Sequence, residues 1–308
     1  MRIGFAGLGL MGSRIAARLS GPEIELLLWD RTSSRARDVS SKVSGSRVAS
    51  DLRDFESVDV IFVMVRDSPA TISVVSSLPK RGKTIVNLAT IFPSDALSLS
   101  REIESAGGRF IDAPVVGSTP AAEDGKLLVL ASGDELEVSR LENLLSRMGK
   151  IIYMGPVPSG AYAKLTANLI LAGMMEVLAE ALEFAERSGL DARKLAEIVA
   201  ASPYRNPYFD SKLERMLRNE FSAQFPLDLM HKDLKYIVRA AQDLGAFIPM
   251  AGLAEQLFGG AEAAGCARED LSAIYKFLSS CCGQRIRDAD AGGPPDEAHE
   301  LPGHRPDP

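Results

Sequence analysis

The chain has 308 residues, 46% of them hydrophobic and 25% charged, with a formal net charge of -6. This composition is typical of globular proteins, leaves room for two domains, and excludes a chain that is disordered throughout. The acidic balance argues against a nucleic-acid partner, which would require a concentrated basic patch, so a small molecule is the expected ligand.

The three cysteines, Cys266, Cys281 and Cys282, are too few and too irregularly spaced for a disulfide framework or a metal site. We therefore expect no metal and a reducing, cytoplasmic compartment. No uninterrupted apolar run approaches the roughly eighteen residues of a membrane span, so we expect no membrane association.

The N-terminal region alternates between apolar runs and a glycine-rich loop. The first predicted strand, Arg2–Ala6, leads into Gly7-Leu8-Gly9-Leu10-Met11-Gly12, and a helix is predicted over residues 13–20. A second strand over residues 24–29 ends at Asp30, at the distance expected for an acid that binds a ribose hydroxyl. This order of strand, glycine loop, helix, strand and acid predicts a dinucleotide-binding site.

Each glycine of this loop is expected to have a separate task. Gly7 permits the tight turn, Gly9 lets the backbone approach a pyrophosphate, and Gly12 lets helix and strand pack closely. We expect the pyrophosphate at the N-terminus of the following helix. The intervening residues, Leu8, Leu10 and Met11, complete the predicted cofactor-binding loop.

The residues after the second strand leave the choice of nicotinamide cofactor open. The carboxylate of Asp30 suits the 2′-hydroxyl of NAD and would repel a phosphate. Arg31, with Thr32 beside it, suits the 2′-phosphate of NADP. We therefore predict NADP or NAD as the cofactor, with no preference between them.

Strands and helices continue to alternate up to residue 154. Further strands are predicted over residues 58–65, 84–88, 110–113, 127–131 and 151–154, with helices over residues 94–106 and 136–148. This alternation predicts an α/β fold with a Rossmann-type, doubly wound sheet. Its ligand-facing loops are residues 64–67, 89–93 and 113–119, which makes Met64, Val65 and Thr90 candidate cofactor contacts.

From Gly160 onward the pattern is helical. Lys164 and Asn168 are one helical turn apart, so a long helix that begins at Gly160 presents both side chains on one face, toward a cleft between domains. Further helices are predicted over residues 191–201, 209–218, 228–244, 249–264 and 269–278. We expect a dinucleotide-binding domain over residues 1–158, an all-helical substrate and oligomerisation domain over residues 159–282, and a disordered tail over residues 283–308.

Four segments, in this order, resemble the β-hydroxyacid dehydrogenase family, which includes 3-hydroxyisobutyrate dehydrogenase and is similar to 6-phosphogluconate dehydrogenase. They are the glycine loop with its methionine, residues 112–118, residues 160–168, and Lys232-Asp233-Leu234. The resemblance implies hydride transfer between NAD(P) and a small β-hydroxy acid or its semialdehyde. It also implies a homo-oligomer, a dimer or tetramer, that associates through the helical domain.

The resemblance further implies roles for three polar residues. Lys164 is the general acid/base, Asn168 positions the substrate, and Lys232 lies near cofactor and substrate. In a partly desolvated cleft, a neighbouring cation such as Lys232 is expected to lower the pKa of Lys164 toward the working pH.

The substrate-binding segment, with Val116, Gly117 and Ser118, departs from the family pattern. Val116 stands where the family usually has a serine that binds the substrate carboxylate, and Ser118 stands where it has a second glycine. Arg66 also replaces a common proline. Because none of these changes affects the proposed proton-transfer residue, we expect the chemistry to be retained and the specificity to be altered.

Other hypotheses remain open: a glyoxylate or succinic semialdehyde reductase-like enzyme, an imine reductase-like enzyme, and an NAD(P)-binding module without turnover. Imine-reducing members of the family usually lack the lysine, so Lys164 counts against that alternative. Tyr208-x-x-x-Lys212 has the spacing of short-chain dehydrogenases, but it lies in the helical domain, which favours chance spacing. His231 is expected to lie on a helix surface.

Overall fold

The protein is described by a computed structural model over residues 1–281. The strands are β1 (Arg2–Ala6), β2 (Glu25–Trp29), β3 (Ser46–Val48), β4 (Val60–Val63), β5 (Thr84–Asn87), β6 (Arg109–Asp112), β7 (Val115–Val116), β8 (Leu127–Gly133) and β9 (Gly149–Tyr153). They form one sheet in the order β3-β2-β1-β4-β5-β6-β8-β7, with β9 beside β8. β1 to β6 pair in parallel, whereas β8 is antiparallel to β6 and β7.

Helices pack on both faces of this sheet. They are α1 (Leu10–Leu19), α2 (Ser33–Ser40), α3 (Ser68–Ser76), α4 (Pro93–Ser105), α5 (Thr119–Asp124), α6 (Glu135–Arg140) and α7 (Glu142–Leu145), with a 3-10 helix over Leu52–Ser57. In β4, Val60 and Phe62 face the layer that contains α1, whereas Ile61 and Val63 face α3 and α4. Each strand therefore buries side chains on both faces, as a covered parallel sheet requires.

The C-terminal half is helical throughout its described part. It contains α8 (Ser159–Arg187), α9 (Ala192–Ala201), α10 (Pro207–Leu217), α11 (Leu227–Leu244), α12 (Pro249–Ala261), a π-helical turn over Glu262–Cys266, a 3-10 helix over Leu271–Ala273, and α13 (Ile274–Cys281). α8 lies at the centre and packs against α11, α12 and α13.

The first turn of α8 is pressed against the sheet. A Cβ atom on Gly160 would lie 2.8 Å from the backbone oxygens of Asp112 and Leu130, so a larger residue would push the helix away. This close contact fixes the helix beside the carboxyl ends of the strands. Lys164 is therefore placed one turn further along, at the junction of sheet and bundle.

By length and composition, α8 could also cross a membrane, and no other helix of residues 1–281 passes that test. Its most apolar window has a mean hydropathy of 1.5, and 44% of that window is buried inside the protein. Lys164 and Glu176 interrupt the apolar sequence of this helix, so it contains no uninterrupted apolar run of membrane-spanning length. Within the described residues, this helix packs against α11, α12 and α13.

The predicted fold class, a Rossmann-type sheet followed by an all-helical domain, is confirmed. β3, β7, α2, α3 and α5 were not predicted, and the predicted helix over residues 136–148 is two short helices that meet at Leu141. The predicted helix over residues 249–264 ends at Ala261, before a turn in which Gly265 has φ +97°. α8 begins at Ser159, where the domain boundary was placed, whereas the predicted tail lies outside the described residues.

Candidate active site

A cavity of about 860 Å³ lies between the carboxyl ends of the strands and the helical domain. All three loops that were expected to face the ligand contribute to its lining. From these loops come Met64, Val65, Arg66, Asp67, Ala89, Thr90, Val115 and Gly117, and from the helical domain come Lys164, Gln224, Phe225, Pro226, Leu229, Lys232, Asp233 and Arg268. The carboxyl edge of a parallel sheet is the usual ligand site of such folds.

The glycine loop forms one end of this cavity and shows where only glycine fits. Gly7 has φ +99°, and a Cβ atom there would lie 2.2 Å from the backbone oxygen of Met64. A Cβ atom on Gly12 would lie 2.0 Å from the backbone oxygen of Gly7. These two glycines are therefore required by the turn and by the close packing of α1.

Gly9 differs because its place in the fold has room for a side chain. A Cβ atom there would meet nothing within 4 Å, and the backbone has an ordinary φ of -69°. Gly9 is also the N-cap of α1 and provides no side-chain cap, so the first N–H groups of the helix are free to bind an anion. The loop thus fits a pyrophosphate, with Gly9 leaving the space that the phosphate oxygens need.

Gly9→Ala is expected to fold with an unchanged Tm and to weaken the binding of NADH and NADPH at least about tenfold, because the methyl group enters the pyrophosphate space. Nucleotide fluorescence titration and a thermal melt measure the two effects. Gly252→Ala in α12, where a Cβ atom also meets nothing within 4 Å, is the matched control. An unchanged Kd in Gly9→Ala would place the pyrophosphate elsewhere.

The acid after β2 is held by the protein itself. The Asp30 carboxylate accepts hydrogen bonds from the backbone N–H groups of Leu8 and Thr32, both at 2.8 Å. Arg35 lies 3.6 Å from it, and Arg31, Thr32 and Arg35 line the same end of the cavity. Sequence reasoning missed Arg35 because it did not predict α2. Asp30 and the two arginines lie at the end of the cavity where the adenosine ribose of the cofactor is expected, which we call the adenosine end. NAD and NADP therefore both remain candidates.

Lys164 and Asn168 meet in the structure as their spacing predicts. Lys164 Nζ donates to Asn168 Oδ1 at 3.0 Å, and Asn168 Nδ2 donates to Asp233 Oδ2 at 2.5 Å. Lys164 lines the cavity, whereas Asn168 is 1% exposed and does not. The carboxamide of Asn168 therefore links the lysine on α8 to a carboxylate on α11.

Burial lowers the pKa of Lys164 to about 8. The charge of Asp233 raises this pKa and the charge of Lys232 lowers it, both by less than burial. The predicted effect of Lys232 thus has the predicted sign, although desolvation is the larger cause. An amine in this range can either donate or accept a proton near neutral pH.

Lys232 is held at the edge between the two domains. Its Nζ donates to the backbone oxygen of Thr90 at 3.0 Å, lies 2.7 Å from Asp233 Oδ1, and lies 4.8 Å from the centre of the Tyr236 ring. Lys232 therefore connects the loop after β5 to α11 and lies beside the same carboxylate that Asn168 contacts.

Asp233 is a second residue of the cavity that sequence reasoning missed. It is 2% exposed, lines the cavity, and contacts both Asn168 and Lys232. The signal was its position next to Lys232, since neighbouring residues on a helix lie on adjacent faces. Asp233 is the counter-charge shared by two lysines in the site.

The residues of the predicted substrate-binding segment that line the cavity are not all those that the sequence predicted. Val115 and Gly117 line the cavity, whereas the side chains of Val116 and Ser118 are not part of its wall, and neither is Leu8. Val116 belongs to β7 and pairs with Leu128 of β8. This loop therefore offers the substrate backbone and apolar surface.

Arg66, the departure from the family's proline, bridges the two domains. Its Nη2 donates to Asp228 Oδ2 at 3.1 Å, and Arg268 Nη1 lies 3.4 Å from the same oxygen. Both arginines line the cavity. In all, six cations and three carboxylates line it, namely Arg31, Arg35, Arg66, Lys164, Lys232 and Arg268 against Asp30, Asp67 and Asp233. This surplus of positive charge, in a chain of net charge -6, favours anionic ligands.

His231 is not on a helix surface, contrary to the prediction. It is 7% exposed, its Nδ1 hydrogen-bonds to Glu262, and its Nε2 lies 3.4 Å from Glu255. It packs α11 against α12 and is not part of the cavity wall. His231 is buried by contacts with Glu255 of α12 and Glu262 of the turn after it. These residues are distant in sequence, so the local pattern did not predict the burial.

Two family profiles match nearly all of the described chain. Residues 2–155 match the NAD binding domain of 6-phosphogluconate dehydrogenase, and residues 158–278 match the NAD-binding domain of NADP-dependent 3-hydroxyisobutyrate dehydrogenase. The chain belongs to the β-hydroxyacid dehydrogenase family. The resemblance inferred from four short segments is thereby confirmed.

Curated relatives in the β-hydroxyacid dehydrogenase family align along most of their length. The chain is 30% identical to glyoxylate/succinic semialdehyde reductase 2, chloroplastic, of Arabidopsis thaliana, an alignment that covers 90% of this chain and 79% of the relative. It is also 30% identical to 2-(hydroxymethyl)glutarate dehydrogenase of Eubacterium barkeri, with 93% and 97% covered. A crystal structure of 3-hydroxyisobutyrate dehydrogenase from Salmonella typhimurium superposes with a TM-score of 0.81 at 23% identity, over 90% of this chain and 99% of that one, and shows the shared fold.

Proposed function

We propose that this protein is an NAD(P)-dependent oxidoreductase that interconverts a small hydroxy acid and the corresponding semialdehyde or keto acid. The observation that carries this proposal is the placement of Lys164. Its amine, with a pKa lowered to about 8 by burial, lies in the same cavity as the glycine loop that fits a pyrophosphate. The names of the relatives, which are reductases and dehydrogenases of such acids, support the same reaction class.

Lys164 is proposed to be the general acid/base. When bound, the nicotinamide ring supplies or accepts the hydride. In the reducing direction the protonated amine of Lys164 donates to the carbonyl oxygen of the substrate, and in the oxidising direction the neutral amine takes the hydroxyl proton. Asn168 keeps this amine in place through its carboxamide oxygen. Asn168 thus acts through the lysine, as a positioning residue.

The reaction is tested with a panel of small semialdehydes and keto acids, including glyoxylate and succinic semialdehyde, in the presence of NADH and of NADPH. Turnover of at least one carboxylate substrate is expected, and the comparison of the two cofactors shows which one the adenosine end accepts. Butanal, which has the chain of succinic semialdehyde without its carboxylate, is the matched control. Cofactor binding without turnover of any panel member would contradict the proposed function.

We also propose that the protein is a homo-oligomer that associates through α8 and the start of α12. The exposed apolar residues of α8, namely Ile170, Val177 and Phe184, recur every seven residues and are 55% to 76% exposed. Ile170 borders an apolar groove shared with Met250, which is itself 59% exposed. An apolar stripe of this length is typical of a subunit interface.

Phe184→Glu is expected to shift the protein toward a monomer, because a charge would be buried in the interface. Sedimentation velocity of the wild type and the variant measures the change. Leu136→Glu, at a site that is 81% exposed on α6 of the other domain, is the control and should leave the mass unchanged. A monomeric wild-type protein would contradict the proposal.

A further inference from the structure

One wall of the cavity is built by two chain segments that lie side by side. The segment from Gln224 to Asp228 pairs with the segment from Ala267 to Leu271: the backbone N–H of Leu271 donates to the oxygen of Phe225 at 2.9 Å, and the N–H of Asp228 donates to the oxygen of Ala267 at 3.1 Å. Gln224, Phe225 and Pro226 face the cavity. This wall is therefore a paired structure with a fixed backbone.

Asp270 holds the wall from behind. Its Oδ2 accepts from the backbone N–H groups of Gln224 at 3.0 Å and of Phe225 at 3.2 Å. Its Oδ1 accepts from the Ser272 hydroxyl at 2.8 Å and from Lys212 Nζ at 2.7 Å. Asp270 is 0% exposed and Lys212 is 5% exposed, so the two form a buried ion pair. Both carboxylate oxygens of Asp270 accept hydrogen bonds from the protein.

Lys212 also fixes the orientation of the Gln224 side chain. Its Nζ donates to Gln224 Oε1 at 3.4 Å. A lysine ammonium only donates, so the carbonyl oxygen of the carboxamide must face it. The carboxamide NH₂ is left without a hydrogen-bond partner among residues 1–281, on a side chain that lines the cavity. Tyr208 and Lys212, which have the Tyr-x-x-x-Lys spacing, do not line the cavity, but Lys212 contacts a side chain that does.

We propose that Gln224 is a specificity residue whose carboxamide NH₂ binds the carboxylate of the substrate, with Lys212 and Asp270 as the residues that position it. This inference rests on the proposed function. The opposite loop presents Val115 and Gly117 to the cavity, and neither has a side-chain donor. The wall that contains Gln224 offers a carboxylate in this cavity an uncharged side-chain donor, beside the positive charges already described.

Gln224→Leu removes the donor at nearly constant volume. We expect the KM of the carboxylate substrate to rise about tenfold or more, which is the loss expected for a hydrogen bond to a charged group, whereas kcat and the Kd of NAD(P)H stay close to the wild-type values. Gln242→Leu, at an exposed position of α11, is the matched control. An unchanged KM in Gln224→Leu, with wild-type turnover intact, would overturn this inference alone. A wild-type enzyme that turns over no carboxylate substrate would overturn it together with the proposed function.

The positioning role of Lys212 is tested by a pair of variants. Lys212→Met removes the donor that orients Gln224 and is expected to raise the KM of the same substrate, whereas Lys212→Arg retains a donor and should restore part of the wild-type KM. The effect of Lys212→Met should be absent in the Gln224→Leu background, because both changes remove one contact. Additive effects would overturn the positioning role. Gln224→Leu, which leaves the buried ion pair intact, keeps the test valid if Lys212→Met fails to fold.

Discussion

Lys164→Met is expected to lower kcat in both directions by about 10²- to 10⁴-fold, the usual contribution of a positioned general acid or base. Methionine matches the length and the burial of the lysine side chain, so the Kd of NAD(P)H should stay close to the wild-type value. Stopped-flow turnover and nucleotide titration separate the two effects. Lys235→Met, at an exposed position of the neighbouring helix α11, is the control.

The pH dependence of the wild-type enzyme gives a second measurement of the same residue. Because the pKa of Lys164 is lowered to about 8, kcat/KM for reduction should fall as the pH rises through about 8, since the acid form is lost. For oxidation kcat/KM should rise over the same range, since the base form is gained. Both slopes should disappear in Lys164→Met. Retention of either the rate or the slopes in that variant would assign proton transfer to another group.

Asp233→Asn is expected to have the second largest effect. The substitution keeps the shape of the side chain, but it removes the carboxylate that lies 2.7 Å from Lys232 Nζ and whose charge raises the pKa of the buried Lys164. Removing one partner of a buried ion pair costs about 3–5 kcal/mol, so the free energy of unfolding at neutral pH should fall by about that amount. Chemical denaturation measures this change.

The same variant should also move the pH profile. The charge of Asp233 raises the pKa of Lys164, so without that charge the pKa falls and the descending slope of the reduction profile shifts to lower pH. Asp243→Asn, at an exposed position of α11, should change neither stability nor profile. A profile that is unaltered in a folded Asp233→Asn enzyme would mean that the carboxylate does not act on Lys164.

Short sequence patterns were sufficient to predict features that depend only on neighbouring residues. The glycine loop and the spacing of Lys164 and Asn168 depend on a few consecutive residues. The structure brings the glycine loop and Lys164 to one cavity, and Asn168 hydrogen-bonds to Lys164. Two of the missed elements had weak local signals: α2 buries Ala36 alone among its residues, and β7 is two residues long.

The missed site residues depend on contacts between distant parts of the chain. Asp233 reaches Asn168 across 65 positions, and Lys212 reaches Asp270 across 58. No periodicity or short motif encodes such contacts, since they are set by how α8, α10, α11 and the 3-10 helix over Leu271–Ala273 pack. The burial that lowers the pKa of Lys164 is likewise a property of the packed bundle.

The central position of α8 has a further consequence for how the protein tolerates change. Its first turn is fixed to the sheet at Gly160, whereas the charges that tune Lys164 lie on α11. The pKa of Lys164 therefore depends in part on the distance between α8 and α11. Substitutions in the apolar seam between α8 and α11, far from any bound molecule, are a route by which evolution can move the working pH while every polar group of the site is kept.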